Sequence, residues 1–110
     1  MQKALDYAVK NEDRYMNELF DMLSIESISA LPEKAGEIKR CAEWMVDWLK
    51  KAGFENAALK ETGGHPAVYA DWLHAPGKPT IMIYGHYDVQ PVDPIEKWNT
   101  PPFKPTLKDG

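Results

Sequence analysis

Residues 80–91 read Thr80-Ile81-Met82-Ile83-Tyr84-Gly85-His86-Tyr87-Asp88-Val89-Gln90-Pro91, an apolar run that passes through one glycine into an imidazole and a carboxylate. The run from Thr80 to Tyr84 is apolar on both faces and follows a loop carrying Pro76, Gly77 and Pro79. A short uninterrupted apolar segment bounded by turn residues suits an interior β-strand covered on two sides. Upstream, Ala67 to Leu73 reads as a second strand, entered through the turn Thr62-Gly63-Gly64, and Phe54 to Glu61 as a third, short one.

The chain before Phe54 has a different period. Leu5, Ala8, Val9, Tyr15, Met16, Leu19, Phe20 and Leu23 recur at three- and four-residue steps, which predicts one amphipathic helix ending before Ser24. Ser24 to Pro32 then breaks the pattern with Ser24, Ser27, Ser29 and the Leu31-Pro32 pair, since a residue before proline is pushed out of the helical region. A second helix is predicted over Glu33 to Ala52, with Ile38, Cys41, Ala42, Met45, Trp48 and Leu49 as its apolar stripe. Lys50 and Lys51 suit the negative end of its dipole, and Gly53 suits its stop. From Pro91 onward Pro94, Pro101, Pro102 and Pro105 exclude helix and central strand. The tail is read as an ordered loop in which Ile95, Trp98 and Phe103 seek burial. Helices laid on interior strands give an α/β layer fold.

Composition narrows the function classes. The 110 residues hold 13 Lys plus Arg against 17 Asp plus Glu, a net charge of −4, with 44% hydrophobic and 27% charged residues. That is the mixture of a soluble globular domain, long enough to bury roughly two-thirds of its unfolded surface. The mild acidity argues against nucleic-acid partners, which select for a basic face. No apolar run nears the ~20 residues that span a bilayer, and the opening residues do not form a secretory signal. Cys41 is the single cysteine, so no internal disulfide forms; a reducing, cytoplasmic location is expected.

The chemistry is concentrated at His86 and Asp88. In extended chain, residues i and i+2 face the same side, and open α/β sheets place ligands at the carboxyl ends of their strands. A metal-bound histidine needs an acceptor on its other ring nitrogen, commonly a carboxylate, so His86 as ligand and Asp88 as its orienter satisfy one rule. The alternative is a strand-end histidine capped by Asp88 as a plain structural hydrogen bond. A third arrangement gathers His65, His74 and His86 into a mononuclear metal site. There is no Gly-x-Ser-x-Gly elbow and no glycine-rich phosphate loop, which weakens serine-hydrolase and nucleotide-binding readings. Cys41, on the apolar stripe, reads as a small buried hydrophobe, and Trp44 and Trp48 read as packing residues.

The segment Tyr84 to Pro91, followed by Trp98-Asn99-Thr100-Pro101-Pro102-Phe103 and by Pro105 with Asp109-Gly110, resembles the zinc-dependent family of dipeptidases, acetylornithine deacetylase, succinyl-diaminopimelate desuccinylase and glutamate carboxypeptidase. The form His86-Tyr87-Asp88-Val89-Gln90-Pro91 is most similar to the dipeptidase branch. Ile25-Glu26-Ser27-Ile28-Ser29 and the helix-Gly53-Phe54 unit extend the likeness over nearly the whole chain. The resemblance implies a partial three-layer, exopeptidase-like catalytic domain with helices on a mixed sheet. It implies that residues 1–110 are the opening portion of that domain. It further implies two divalent ions, zinc first with manganese or cobalt as alternatives, His86 as a ligand of one, and Asp88 as the catalytic carboxylate that orients His86.

By the same resemblance the substrate is a dipeptide or an N-acyl amino acid, and the parent protein is a homodimer. The bridging aspartate, the general-base glutamate, the other ligands and the lid domain would all lie beyond Gly110. A catalytic zinc normally takes three protein ligands, so the isolated chain is expected to be inactive and, with uncovered apolar surface, to self-associate. Two rivals stand beside the dipeptidase reading: an N-acyl-amino-acid deacylase of the same fold, and a non-catalytic binding or assembly domain.

Overall fold

The computed structural model describes residues 1–109. Its order is α1 (Gln2–Lys10), α2 (Glu12–Leu23), a 3₁₀ turn at Pro32–Lys34, α3 (Ala35–Lys51), β1 (Glu55–Lys60), β2 (Ala67–Asp71) and a 3₁₀ turn at Ile95–Lys97. Helices with a two-stranded antiparallel sheet make it an α/β protein, as expected. The chain divides into two compact units, residues 1–25 with 92–110, and residues 26–91.

In the first unit the single long helix expected from periodicity is two helices. Asn11 separates them at φ −110° and ψ 15°. Its side-chain amide donates to the Tyr7 carbonyl at 2.8 Å, and its Oδ1 accepts from Arg14 Nε at 3.4 Å. A short polar side chain that competes for backbone partners in this way ends one helix and opens the next. Glu12 and Asp13 then suit the positive end of α2. The predicted apolar stripe exists, but neither helix buries a residue: Leu5, Val9, Leu19 and Leu23 are exposed. The proline-rich tail is a loop, as read. Ile95 and Trp98 are nevertheless half exposed rather than buried, and Trp98 is tied by its indole N–H to the Val92 carbonyl at 2.8 Å. Gly110, part of the quoted resemblance, lies outside the described residues.

The second unit is built on α3. It begins two residues later than predicted because Pro32–Lys34 forms a 3₁₀ turn, with Lys34 paired to Glu26. Ile38, Cys41, Ala42 and Val46 are its buried residues. Met45, Trp48 and Leu49, assigned to the stripe, are only half buried, as is Trp44. Glu37 with Arg40 and Lys39 with Glu43 pair on the exposed side. The stop is the one predicted. Gly53 takes φ +92°, its N–H reaches the Lys50 carbonyl and that of Phe54 the Leu49 carbonyl, both at 3.0 Å. These are the two bonds of a Schellman motif, in which glycine adopts the left-handed conformation without a Cβ penalty.

α3 packs against both strands of the sheet. β1 and β2 pair through Ala58 with Tyr69, Leu59 with Val68 and Lys60 with Ala67, and a bulge separates these from the Glu55–Asp71 pair. At the bulge Asn56 takes φ +52° and donates to both Asp71 carboxylate oxygens at 3.0 Å. An asparagine tolerates that left-handed position better than most residues.

The interior strand expected at Thr80–Tyr84 is not formed. The segment has no ladder partner among the described residues, and Ile81, Met82, Ile83 and Tyr84 are 83–89% exposed. Apolar patterning reports what a segment needs covered. A strand also needs neighbours for its N–H and C=O groups, and the only sheet among the described residues is the β1–β2 pair.

Candidate functional site

The residues after the unpaired run are held firmly. Ile28 and Val89 form a parallel bridge, with the Val89 N–H on the Ser27 carbonyl at 2.9 Å. The Ser27 hydroxyl donates to the Tyr87 carbonyl at 2.9 Å, and the Cys41 thiol reaches the same oxygen at 3.5 Å. The Tyr87 hydroxyl donates to the Pro66 carbonyl. Four separate positions of the chain thus fasten residues 87–89, and Ser27 at their base is 2% exposed.

On this platform His86 and Asp88 face each other as the alternation of extended chain requires. His86 Nδ1 lies 3.1 Å from Asp88 Oδ1 and 2.9 Å from the Asp88 carbonyl oxygen. Both partners are acceptors, so the neutral ring carries its proton on Nδ1 and leaves the Nε2 lone pair open. Nε2 has no hydrogen-bond partner among the described residues, and the side chain is 75% exposed. The second Asp88 oxygen, Oδ2, accepts from the Ser29 hydroxyl at 2.5 Å. That bond foremost holds the Asp88 carboxyl below the usual carboxylate range. Partial desolvation pushes the other way, and the residue's own N–H and the His86 ring add to the lowering.

The three-histidine arrangement does not form. His65 Nε2 lies against the Ser29 carbonyl at 3.1 Å. His74 pairs with Glu55 at 2.9 Å, its ring edge-on to Trp72. Each is occupied locally, and no group of three metal-ligating side chains exists among the described residues. His86 therefore fits a divalent ion as a single imidazole ligand with its tautomer already set, but a complete coordination sphere needs donors from elsewhere. Cys41 is fully buried, and burial pushes its thiol pKa up, which fits a small buried hydrophobe rather than an activated thiol. Ser27 and Ser29 are the residues at the candidate site that sequence reasoning missed, having been taken only as helix breakers and as part of a resemblance. Their alternation with Ile28 was the available signal.

No family model matches the chain. It is 30% identical, over 94% of its length, to the Cys-Gly metallodipeptidase DUG1 of Candida albicans, of which it covers 24%. It is 33% identical, over 77% of its length, to the succinyl-diaminopimelate desuccinylase of Delftia acidovorans, covering 23% of that protein. Its fold superposes on the dipeptidase Dug1p of Saccharomyces cerevisiae with a TM-score of 0.77 at 24% identity, over 86% of this chain and 22% of that one. The chain thus spans about a quarter of the length of the curated relatives it matches. On that shared sequence, the chain matches the family of metallodipeptidases and succinyl-diaminopimelate desuccinylases over about a quarter of those proteins' length.

Proposed function

We propose that residues 1–110 form the opening portion of a metal-dependent hydrolase that cleaves the peptide bond of dipeptides, with His86 as a ligand of one of two divalent ions, zinc by preference. The observation that carries this is the His86 ring fixed by Asp88 at Nδ1 while Nε2 has no partner among the described residues. A bound ion of this kind supplies Lewis acidity to the scissile carbonyl. This chain's part is to hold the imidazole proton at Nδ1, to keep the Asp88 carboxylate ionised beside it, and to anchor both on the clamped residues 87–89. One ligand does not retain a catalytic ion. The isolated chain is therefore inactive in this reading, and the remaining ligands and the base come from other residues.

The test is an assay of the complete protein and of this chain on Cys-Gly and on N-succinyl-diaminopimelate, with and without a chelator. The expected result is chelator-sensitive cleavage of the dipeptide by the complete protein and none by the chain alone. Chelator-insensitive turnover, or turnover by the chain alone, overturns the reading. The similarity to desuccinylases favours a second reading, deacylation of an N-acyl amino acid. Faster release of succinate than of glycine decides for it. A complete protein that takes up no metal and has no activity belongs to a third class, a binding domain.

We also infer that the exposed run Ile81–Tyr84 makes the isolated chain self-associate, because contiguous apolar surface of this kind is costly in water. Sedimentation is expected to show oligomers for the native chain and a shift to monomer for Ile81→Lys with Ile83→Lys. A native monomer refutes it.

A further inference from the structure

Ser29 touches the candidate site from two sides. Its hydroxyl lies 2.5 Å from Asp88 Oδ2, and its carbonyl lies 3.1 Å from His65 Nε2. The serine is thus itself held in place, and it occupies the one carboxylate oxygen that His86 does not use. A carboxylate with a single partner rotates about its Cβ–Cγ bond and presents either oxygen, or neither, to the imidazole. With a hydroxyl fixed on Oδ2, rotation breaks one bond or both, so Oδ1 stays opposite His86 Nδ1. Ser27, two residues away, bonds the Tyr87 carbonyl and the Cys41 thiol but no carboxylate, so the two serines separate chain fastening from carboxylate orientation.

We propose that Ser29 is a positioning residue: by holding Oδ2 of Asp88 it keeps Oδ1 opposite His86 Nδ1, adding to the hold of the Asp88 carbonyl on the Nδ1–H form and keeping Nε2 available to a divalent ion. The inference rests on the reading of His86 as a metal ligand with Asp88 as its orienter. His65 supplies an internal reference, because its Nε2 faces the Ser29 carbonyl and so carries the proton. The structure therefore sets two histidines of one unit in opposite tautomers.

The experiment is long-range 1H–15N correlation of the imidazole rings in this chain, at a pH well above the ordinary imidazole value of about 6.5. In the native chain His86 is expected to show protonated Nδ1 and unprotonated Nε2, with the pattern reversed at His65. Ser29→Ala is expected to weaken the single-tautomer signature, the His86 Nε2 resonance moving part of the way toward the averaged position of exchanging tautomers, since the Asp88 carbonyl still faces Nδ1. Ser29→Thr, which keeps the hydroxyl, and Ser27→Ala are expected to retain it. Should Ser29→Ala not fold, Ser29→Cys replaces it, since a thiol is a weak donor of similar shape, and the same weakening is expected.

A native His86 protonated at Nε2 overturns the ligand reading and this inference together. A native His86 of the expected form that is unaltered in Ser29→Ala or Ser29→Cys overturns the role of Ser29 alone. Equal weakening in Ser27→Ala also overturns it, because Ser29 would then only fasten the chain.

Discussion

His86→Ala in the complete protein is expected to reduce metal-dependent hydrolysis by more than about a hundredfold while leaving the fold intact. The ring is largely exposed and bonds only Asp88, so little packing is lost. In the proposed reading what disappears is a donor to the ion, and removing a donor exceeds the roughly 10–100-fold loss typical when the partner behind a ligand is changed. Asp88→Asn keeps shape and removes charge, and belongs in that smaller range of about 10–100-fold. The ordering of the two variants, measured as kcat/KM at saturating metal with circular dichroism as the folding control, separates a ligand from its orienter. Near-native turnover by His86→Ala would place the chemistry elsewhere in the protein.

Ile38→Ala is expected to destabilise the second unit by about 2–5 kcal/mol, the usual cost of emptying a fully buried isoleucine site. Ile38 is 0% exposed, and the buried core of α3 has only four members. Against a typical total of about 5–15 kcal/mol, one such cavity takes a large share. Urea titration followed by circular dichroism should show a lower midpoint with an unchanged slope, and Ile38→Val should lose only about 0.5–1.5 kcal/mol. Activity of the complete protein should fall with the folded fraction while KM stays constant, unlike His86→Ala. A midpoint equal to that of the native chain would mean that the α3 core does not carry the unit.

The contrast between these variants follows what could be read along the chain. α3 with its glycine stop, the two short strands and the His86–Asp88 pair depend on near neighbours, and periodicity or alternation reports near neighbours well. The break at Asn11 was missed because eight apolar residues in helical register outweighed one side chain that bonds its own backbone. Thr80–Tyr84 was misread as a formed strand because a run of apolar residues states a need for cover, and cover is supplied by residues far off in sequence. Ser27 and Ser29 were passed over for the same reason. Their partners lie 60 and 59 residues away, and a hydroxyl carries no periodic mark of so distant a contact. The two misses have opposite signs: long-range partners were assumed for the strand and left unassigned for the serines.

The Tyr87 carbonyl, shared by a hydroxyl from one segment and a thiol from α3, gives damage at a distance the look of damage to the chemistry. An oxidised or enlarged side chain at position 41 would lift that oxygen, tilt the imidazole beside it and reduce turnover, although nothing near the reacting bond had been touched. Surveys of variants scored by turnover alone would then count a buried wall of the helix among the reactive groups. Only a separate readout of ring geometry tells the wall from the tool it supports.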